Sequence, residues 1–257
     1  MKKMSQARVV LAIDAGNSRI KWGIHDGRRW RQRAWVQTKQ VARLKAPFAK
    51  LRDLHAVVIS NVAGPALHDA LRRLLPSTPR PLWVKSMRLQ AGVRSSYGVP
   101  AQLGCDRWAA LIGAYRLYAT AAVVVNAGTA LTVDALTADG VFAGGTITPG
   151  VDLMRIALAG NTAGLKQRPG KFSFFPDSTG DAIMSGAINA SCGAIERIAQ
   201  FLEEAGERAP LCVLSGGGAA MLAPHLNLEV KLVDNVVLEG LLAIAEDRAL
   251  KHTMPTL

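Results

Sequence analysis

The sequence predicts an α/β fold built from two related halves. Three observations carry that prediction. The stretch Val9 to Gly27, VVLAIDAGNSRIKWGIHDG, reads as a buried strand, a tight turn bearing Asp and Gly, and a second strand. The pattern returns 112 residues later in Val123 to Gly140, VVVNAGTALTVDALTADG, where Asp14 falls on Asn126, Ala15 on Ala127, Gly16 on Gly128 and Asn17 on Thr129. Elsewhere short apolar runs alternate with helical patterns in strand-helix-strand order, as an α/β layer requires.

In the first stretch, VVLAI is the short apolar run expected of a strand covered on both faces. Asp14, Gly16, Asn17 and Ser18 occupy the turn that follows. Alternation resumes through Ile20, Trp22 and Ile24, and Asp26-Gly27 marks a hairpin stop, as Asp139-Gly140 does in the second copy. A turn of this kind brings backbone N–H groups and small hydroxyls close to a phosphate, because Gly removes the steric obstacle. Asp14 would then face a metal ion that accompanies the phosphates. Two such turns facing each other would make a nucleotide cleft between two halves. The same residues also suit two ordinary β-hairpins.

The remaining elements follow in order. A strand at Arg33 to Gln37 and an amphipathic helix from Lys39 are expected. Leu54 to Val62 reads as a buried strand ending in Ser60-Asn61, and Gly64-Pro65 opens a helix over Ala66 to Leu75. Leu82 to Lys85 is a short strand, and Val93 to Pro100 a loop whose Tyr97 suits either a small-molecule pocket or a loop edge. Gly104-Cys105-Asp106-Arg107 precedes an Ala-rich helix, Trp108 to Tyr118. Asp106 sits where a helix dipole favours a carboxylate, so a plain cap and a chemical role both fit. Arg107 offers a two-pronged donor for carboxylate or phosphate. Cys105 has no nearby His to act as base and reads as packing.

Past the second hairpin, Val141 to Gly150 reads as two sharp turns around a short strand, and a helix starts at Val151. The loop Asn161 to Pro176 carries Phe172, Phe174 and Phe175, which suggest a buried contact or a subunit interface. Ser178 or Thr179 would cap a helix over Ala182 to Ala205, or point a hydroxyl at substrate. Leu211 to Leu214 is a buried strand turned by Ser215-Gly216-Gly217-Gly218. Val230 to Val233 is the last strand and Val236 to Leu250 the closing helix. The domain break falls near Tyr118 to Ala121, giving halves 1–119 and 120–257.

Composition narrows the class. Apolar residues are 49% and charged residues 19% of 257, enough for a substantial core and against disorder. No apolar run is long enough to span a bilayer, and the run after MKKMSQAR meets Asp14 too soon for a signal peptide, so a soluble cytoplasmic protein is expected. Cys105, Cys192 and Cys212 show neither metal-ligand nor disulfide spacing, and reduced, mostly buried thiols are the default. The formal charge of +12 raises nucleic acid as a partner, yet Lys and Arg are scattered along the sequence and no nucleic-acid motif stands out. A basic surface also attracts anionic substrates such as nucleotides.

No GxxxxGK[ST] and no GxGxxG is present, so a P-loop or Rossmann site lacks its phosphate turn. Asp-Ala-Gly-Asn-Ser, Ala-Gly-Thr and Ser-Gly-Gly-Gly in that order resemble the acetate and sugar kinase, heat-shock chaperone and actin superfamily. That resemblance implies two related actin-like (ribonuclease H-like) domains with a nucleotide cleft between them. The closer similarity is to type III pantothenate kinase and covers nearly the whole chain. It rests on DxGN[ST] at Asp14 to Ser18, GxDR at Gly104 to Arg107 and GTAxTxD at Gly128 to Asp134. FxGGxIxPG at Phe142 to Gly150, SGG at Ser215 to Gly217 and LxGL at Leu238 to Leu241 complete it.

The resemblance implies phosphoryl transfer from ATP to the primary hydroxyl of pantothenate, the first step of coenzyme A synthesis. Asp106 matches the family's general base. Tyr97, Gly104, Cys105, Arg107 and Thr179 match substrate-contacting positions. Asp14, Ala15, Gly16, Asn17, Ser18, Arg19, Ile20 and Lys21, with Thr129, match the ATP-phosphate positions. Mg²⁺ would escort the phosphates at Asp14, a monovalent cation (K⁺ or NH₄⁺) would bind near position 126, and the enzyme would be a homodimer. Many members carry Asp where this chain has Asn126, whose amide offers a cation only a neutral carbonyl oxygen. Ser178 replaces the Asn usually found before that Thr. Two other classes fit part of the pattern: a non-catalytic ATP-binding regulator on the same fold, and a kinase for another small alcohol. The retained GxDR favours the active pantothenate enzyme.

Overall fold

The structure, a computed structural model, describes residues 8–162, 164–165 and 169–253. The basic segment before Arg8, and residues 163 and 166–168 of the long loop, lie outside the described residues. The strands are β1 (Val9–Ala15), β2 (Arg19–His25), β3 (Trp30–Gln37), β4 (Leu54–Asn61), β5 (Leu82–Trp83), β6 (Leu89–Gln90), β7 (Val93–Ser95), β8 (Ala122–Ala127), β9 (Ala130–Leu136), β10 (Val141–Pro149), β11 (Leu211–Ser215) and β12 (Val230–Leu232). The α-helices are α1 (Lys45–Ala49), α2 (Pro65–Leu74), α3 (Cys105–Tyr118), α4 (Val151–Asn161), α5 (Thr179–Glu204), α6 (Ala219–Leu222) and α7 (Val236–Thr253).

The chain forms two compact units. The first comprises residues up to Leu117 together with those from Val236 onward, and the second spans Tyr118–Asn235. In the first unit the sheet runs β3-β2-β1-β4-β5, with β1, β2 and β3 antiparallel and β4 and β5 parallel to β1. The strands of the second unit repeat this plan as β10-β9-β8-β11-β12, with the same directions. The repeat expected from the two turns therefore extends to the whole order of strands.

Each core follows from strand periodicity. Leu11, Ile13 and Ala15 alternate on one face of β1 and pack with Ile20, Trp22, Val57 and Ile59, under Leu44, Phe48, Leu67 and Leu71 from the helical layer. Val123, Val125 and Ala127 do the same in β8, against Ile188, Cys192 and Ile195 of α5. Asp26 shapes the β2–β3 turn by accepting the N–H groups of Arg28 and Arg29 at 2.8 and 2.9 Å, and Gly27 takes the positive φ of +90° that the turn needs. These bonds pull the Asp26 carboxyl down to about 2.

Four expectations are corrected. The division at 119/120 placed the closing helix in the second half, whereas α7 packs on β1 and β4 of the first unit. There it crosses α3 at backbone contact: a methyl on Gly240 would lie 1.7 Å from the Ala109 carbonyl oxygen, and one on Gly113 2.3 Å from that of Val236. The helix expected from Lys39 is a 3-10 turn, Thr38–Leu44, then the short α1. Gln40 leaves helical geometry at φ −109°, and Pro47 supplies no N–H, so one continuous helix cannot form. Val141 to Gly150 is a single nine-residue strand with a bulge between Phe142 and Gly144, which absorbs the glycines read as turns. Phe172 packs on the second core and on the His225 ring, but Phe174 and Phe175 are 86% and 93% exposed rather than buried in the chain.

The α3–α7 crossing gives a paired test. Gly240→Ala should cost about 2 kcal/mol of unfolding free energy, because backbone must move to admit the methyl. Gly193→Ala, which meets nothing within 4 Å on α5, should instead stabilise by up to about 1 kcal/mol. Urea melts of the two variants measure both.

His25 provides a second test. Its Nδ1 accepts the Gly27 N–H at 3.1 Å, so the neutral ring carries its proton on Nε2. Burial pushes its pKa below 6.5, an effect that Glu246, Asp26 and Glu239 oppose and Arg116 reinforces. The unfolded chain thus binds this proton more readily, and stability falls as pH drops through about 6.5, flattening below the folded pKa. His25→Gln should flatten that slope in melts between pH 7.5 and 5.

Candidate active site

In the first unit the site grows from the C-terminal ends of the parallel strands, where an open α/β sheet presents its ligands. Asp14 is the penultimate residue of β1 and only 7% exposed. Register places it opposite Ser60 of β4 and Lys21 of β2, and Lys21 opposite Trp35 of β3. Ser60, Asp14, Lys21 and Trp35 therefore form one row across the sheet, on the face opposite the Ile13 core. The turn after β1 is fixed from within: the Gly16 N–H donates to the Arg19 carbonyl at 3.0 Å, and the Thr38 hydroxyl to the Gly16 carbonyl at 2.7 Å. Asn17, Ser18 and Arg19 remain exposed at its tip, with the Arg19 guanidinium 4.4 Å above the Trp35 ring.

The Gly104–Arg107 motif opens α3. Asp106 lies in the first helical turn and its Oδ1 accepts the Arg107 N–H at 2.8 Å. A methyl on Gly104 would come within 2.6 Å of that Oδ1, so this placement of the carboxylate favours glycine there. The start of the helix is held by the Ser86 hydroxyl, which donates to the Leu103 carbonyl at 2.8 Å, and by the Trp108 indole N–H, which donates to Gln90 at 2.8 Å. The Cys105 thiol lies 3.3 Å from the Ser60 hydroxyl and 3.6 Å from the Asn61 carbonyl, tying α3 to the end of β4. Burial pushes this thiol pKa up; the bonds from Ser60 and Asn61 oppose the shift, and the Asp106 and Asp14 charges add to it. Arg107 is buried, and Tyr97 is half-buried with its N–H donating to the Ser95 hydroxyl at 3.3 Å.

The second unit builds its turn from three separate motifs. The Gly128 N–H donates to the Ala130 carbonyl at 3.0 Å, the Gly150 N–H to the Thr129 carbonyl at 2.9 Å, and the Gly218 N–H to the Ala127 carbonyl at 2.9 Å. A methyl on Gly150 would lie 2.2 Å from the Gly128 carbonyl oxygen, and one on Gly216, at φ +102°, 2.4 Å from that of Ala127. Gly128–Ala130, Gly150 and Gly216–Gly218 are therefore locked together through backbone. Thr129 is exposed on this turn and Asn126 is half-buried beneath it, opposite Ser215 and Thr132. Thr148 adds a buried hydroxyl with no partner among the described residues, a group the sequence did not single out. Ser178 caps α5 by accepting the Asp181 N–H at 3.2 Å. Thr179 opens that helix and lines an apolar groove of about 390 Å³ with Met154, Leu158 and Ile183.

Sequence reasoning also missed Ser60, Asn61 and Thr38 as parts of the site. Ser60-Asn61 was legible as the end of a strand parallel to β1; Thr38 carried no motif.

The profile of type III pantothenate kinase matches residues 10–200. The type III pantothenate kinase of Nitrosospira multiformis is 48% identical over 240 residues, covering 93% of this chain and 92% of that relative. Glucokinase from Balamuthia mandrillaris, in complex with glucose, is similar in structure with a TM-score of 0.54 at 10% identity, covering 95% of each chain. MreB 5 of Spiroplasma citri bound to AMPPNP gives a TM-score of 0.51 at 11% identity, covering 95% of this chain and 98% of that one. The fold is thus that of the actin-like sugar kinases and filament proteins, two units of mixed α/β sheet. Within that class the chain belongs to the type III pantothenate kinase family, whose members phosphorylate pantothenate in coenzyme A biosynthesis.

The thiols give a test independent of activity. Burial raises Cys192 to about 11 and Cys212 to about 12, and Cys105 also lies above its ordinary value. A thiol at 11 is roughly one part in a thousand ionised at pH 8, so disulfide reagents should label the native protein slowly. Urea should bring all three thiols to free-cysteine rates.

Proposed function

We propose that Asp106 is the general base of pantothenate phosphorylation in this chain and that Asp14 serves the phosphate side. The observation carrying the proposal is the Asp106 carboxylate, fixed at the mouth of α3 by Gly104 and the Arg107 N–H, in the same unit as the buried Asp14. Asp106 accepts the proton of the primary hydroxyl as its oxygen attacks the γ-phosphorus of ATP. Arg107, Tyr97 and Thr179 orient pantothenate, with Gly104 and Cys105 shaping the wall beside it. Asp14 through Lys21 and Thr129 hold the ATP phosphates, chiefly by backbone N–H groups and by Lys21. Positioning and charge neutralisation supply most of the acceleration in such a transfer.

Among the described residues no group of three or more His, Cys, Asp or Glu side chains converges on a metal. One buried carboxylate beside the phosphate turn instead suits Mg²⁺ brought in with ATP, which needs one or two carboxylates besides phosphates and water. When bound, Mg²⁺ neutralises phosphate charge. Asn126 offers K⁺ a neutral oxygen, so we assign this chain a weakened monovalent-cation site. A homodimer is supported by the α4–α5 groove and by exposed Ile156, Phe174 and Phe175 in the same unit. A cytoplasmic setting is supported by the free cysteines, and no described helix is long and apolar enough to cross a membrane.

Asp106→Asn should lower kcat by about 10²- to 10⁴-fold and leave KM for ATP within about twofold, in an assay that follows ADP and phosphopantothenate together. Retention of kcat within tenfold would remove Asp106 as the base. In the same assay the wild type should respond weakly to replacing Na⁺ by K⁺, and Asn126→Asp should strengthen that response.

A further inference from the structure

Charge is distributed unevenly along this chain. The first 117 residues hold 22 of the 31 Lys and Arg residues and only 5 of the 19 acidic residues, whereas residues 118–235 hold 7 basic against 11 acidic. What is scattered along the sequence is gathered by the fold. The 3-10 turn Thr38–Leu44, α1 and α2 pack side by side as one layer over the first sheet, anchored inward by Leu44, Phe48, Leu67 and Leu71. Their outer side exposes Lys39, Arg43, Lys45, Lys50, Arg72 and Arg73. None of the six forms an ion pair with a carboxylate among the described residues; Arg43 bonds only the neutral Gln40 side chain, at 3.1 Å.

We propose that this layer docks the phosphate backbone of a nucleic acid. Surface cations of folded proteins usually lie among carboxylates that offset their mutual repulsion. Six without an ion-pair partner, on three elements packed together, outnumber the single exposed carboxylate there, Asp69, which bonds His68 at 3.0 Å, and form a field complementary to a polyanion. A phosphate backbone needs nothing beyond Lys and Arg at its surface. A lipid surface would also need apolar anchors, and no large apolar side chain is exposed on the 3-10 turn, α1 or α2. No Phe, Tyr or Trp ring is exposed there to stack on a base, and the His68 ring lies against Trp83, so recognition is of backbone and independent of sequence. The layer covers the Ile13 face of the sheet, whereas Asp14 belongs to the opposite face, so docking and phosphoryl transfer use different surfaces of the first unit.

The test is fluorescence anisotropy of the full chain with a labelled 20-base-pair DNA duplex of arbitrary sequence, across a salt series. The wild type should bind, with log affinity falling by about 0.9 per unit of log salt for each phosphate contacted. The triple variant Lys45→Glu, Arg72→Glu, Arg73→Glu should lose at least about 100-fold in affinity and about three units of salt slope, with kinase activity and melting temperature unchanged. Should charge reversal impair folding, Lys45→Gln, Arg72→Gln, Arg73→Gln should still lose about tenfold. Arg208→Glu, a reversal in the second unit, should leave binding within twofold. Equal duplex affinity in the triple variants and the wild type overturns the proposal. So does tighter binding to phosphatidylglycerol vesicles or to polyglutamate than to the duplex, since either would make the layer a lipid or acidic-protein surface.

Discussion

The site depends on one backbone atom, the carbonyl oxygen of Ala127 at the end of β8. The Gly218 N–H donates to it, and Gly216 passes so close that a methyl would lie 2.4 Å away. One residue along, Gly150 passes so close to the Gly128 carbonyl that a methyl would lie 2.2 Å from its oxygen. Three loops from distant parts of the sequence can meet there only because each brings a hydrogen where a side chain would stand. The same bond exists in the first unit, where the Val62 N–H donates to the Ala15 carbonyl at 3.1 Å. There Ser60 and Asn61, at the end of β4, hold Cys105 and hence α3.

The shared plan makes the divergence of the two units interpretable. Register gives the row Ser60–Asp14–Lys21–Trp35 in the first and Ser215–Asn126–Thr132–Ile147 in the second. Serine stands at the same place in both. Beside it, a carboxylate and an ammonium in the first unit become an amide and a hydroxyl in the second. The first row suits a metal-bearing phosphate, where opposite charges must both be met. The second suits contacts that fix position without adding charge, consistent with a turn shorter by one residue between its strands.

The legible parts of the sequence were those set by local chemistry. Short apolar runs located β1, β4, β8 and β11, and Asp-Gly dipeptides located both outer turns, because burial and positive φ leave marks within a few residues. Asp106 stood out for the same reason, as an acid at the start of an Ala-rich helix behind a glycine. Where long-range packing decided the outcome, the marks were missing or misleading. Gly144 and Gly145 looked like turns, yet a methyl on Gly145 would strike the Asp134 carboxylate 2.2 Å away, so strand pairing demanded glycine there. Lys39 to Phe48 had helical periodicity, but Gln40 leaves helical geometry and Pro47 supplies no N–H, so the stretch forms two short pieces. The basic bias of the first 117 residues is legible by counting, but that Arg72 and Arg73 join Lys39, Arg43, Lys45 and Lys50 in one layer is set by the fold.

The return of α7 to the first unit bears directly on the chemistry. Asp106 must be held to within a fraction of an ångström if it is to accept a proton in a transfer that relies on positioning. Its own contacts fix the carboxylate relative to α3, and Cys105 and Trp108 fix the first turn of that helix. Neither fixes the far end of α3 against rotation about its axis. That end is held to α7 by the Arg116–Glu246 ion pair at 2.7 Å and by Gly113 and Gly240, where two helices separated by more than a hundred residues of chain touch through backbone. Backbone contact admits no rotamer change, so it constrains more tightly than interdigitated side chains would. The second unit is thus an insertion between α3, which carries Asp106, and α7, the helix that packs against it through Gly240.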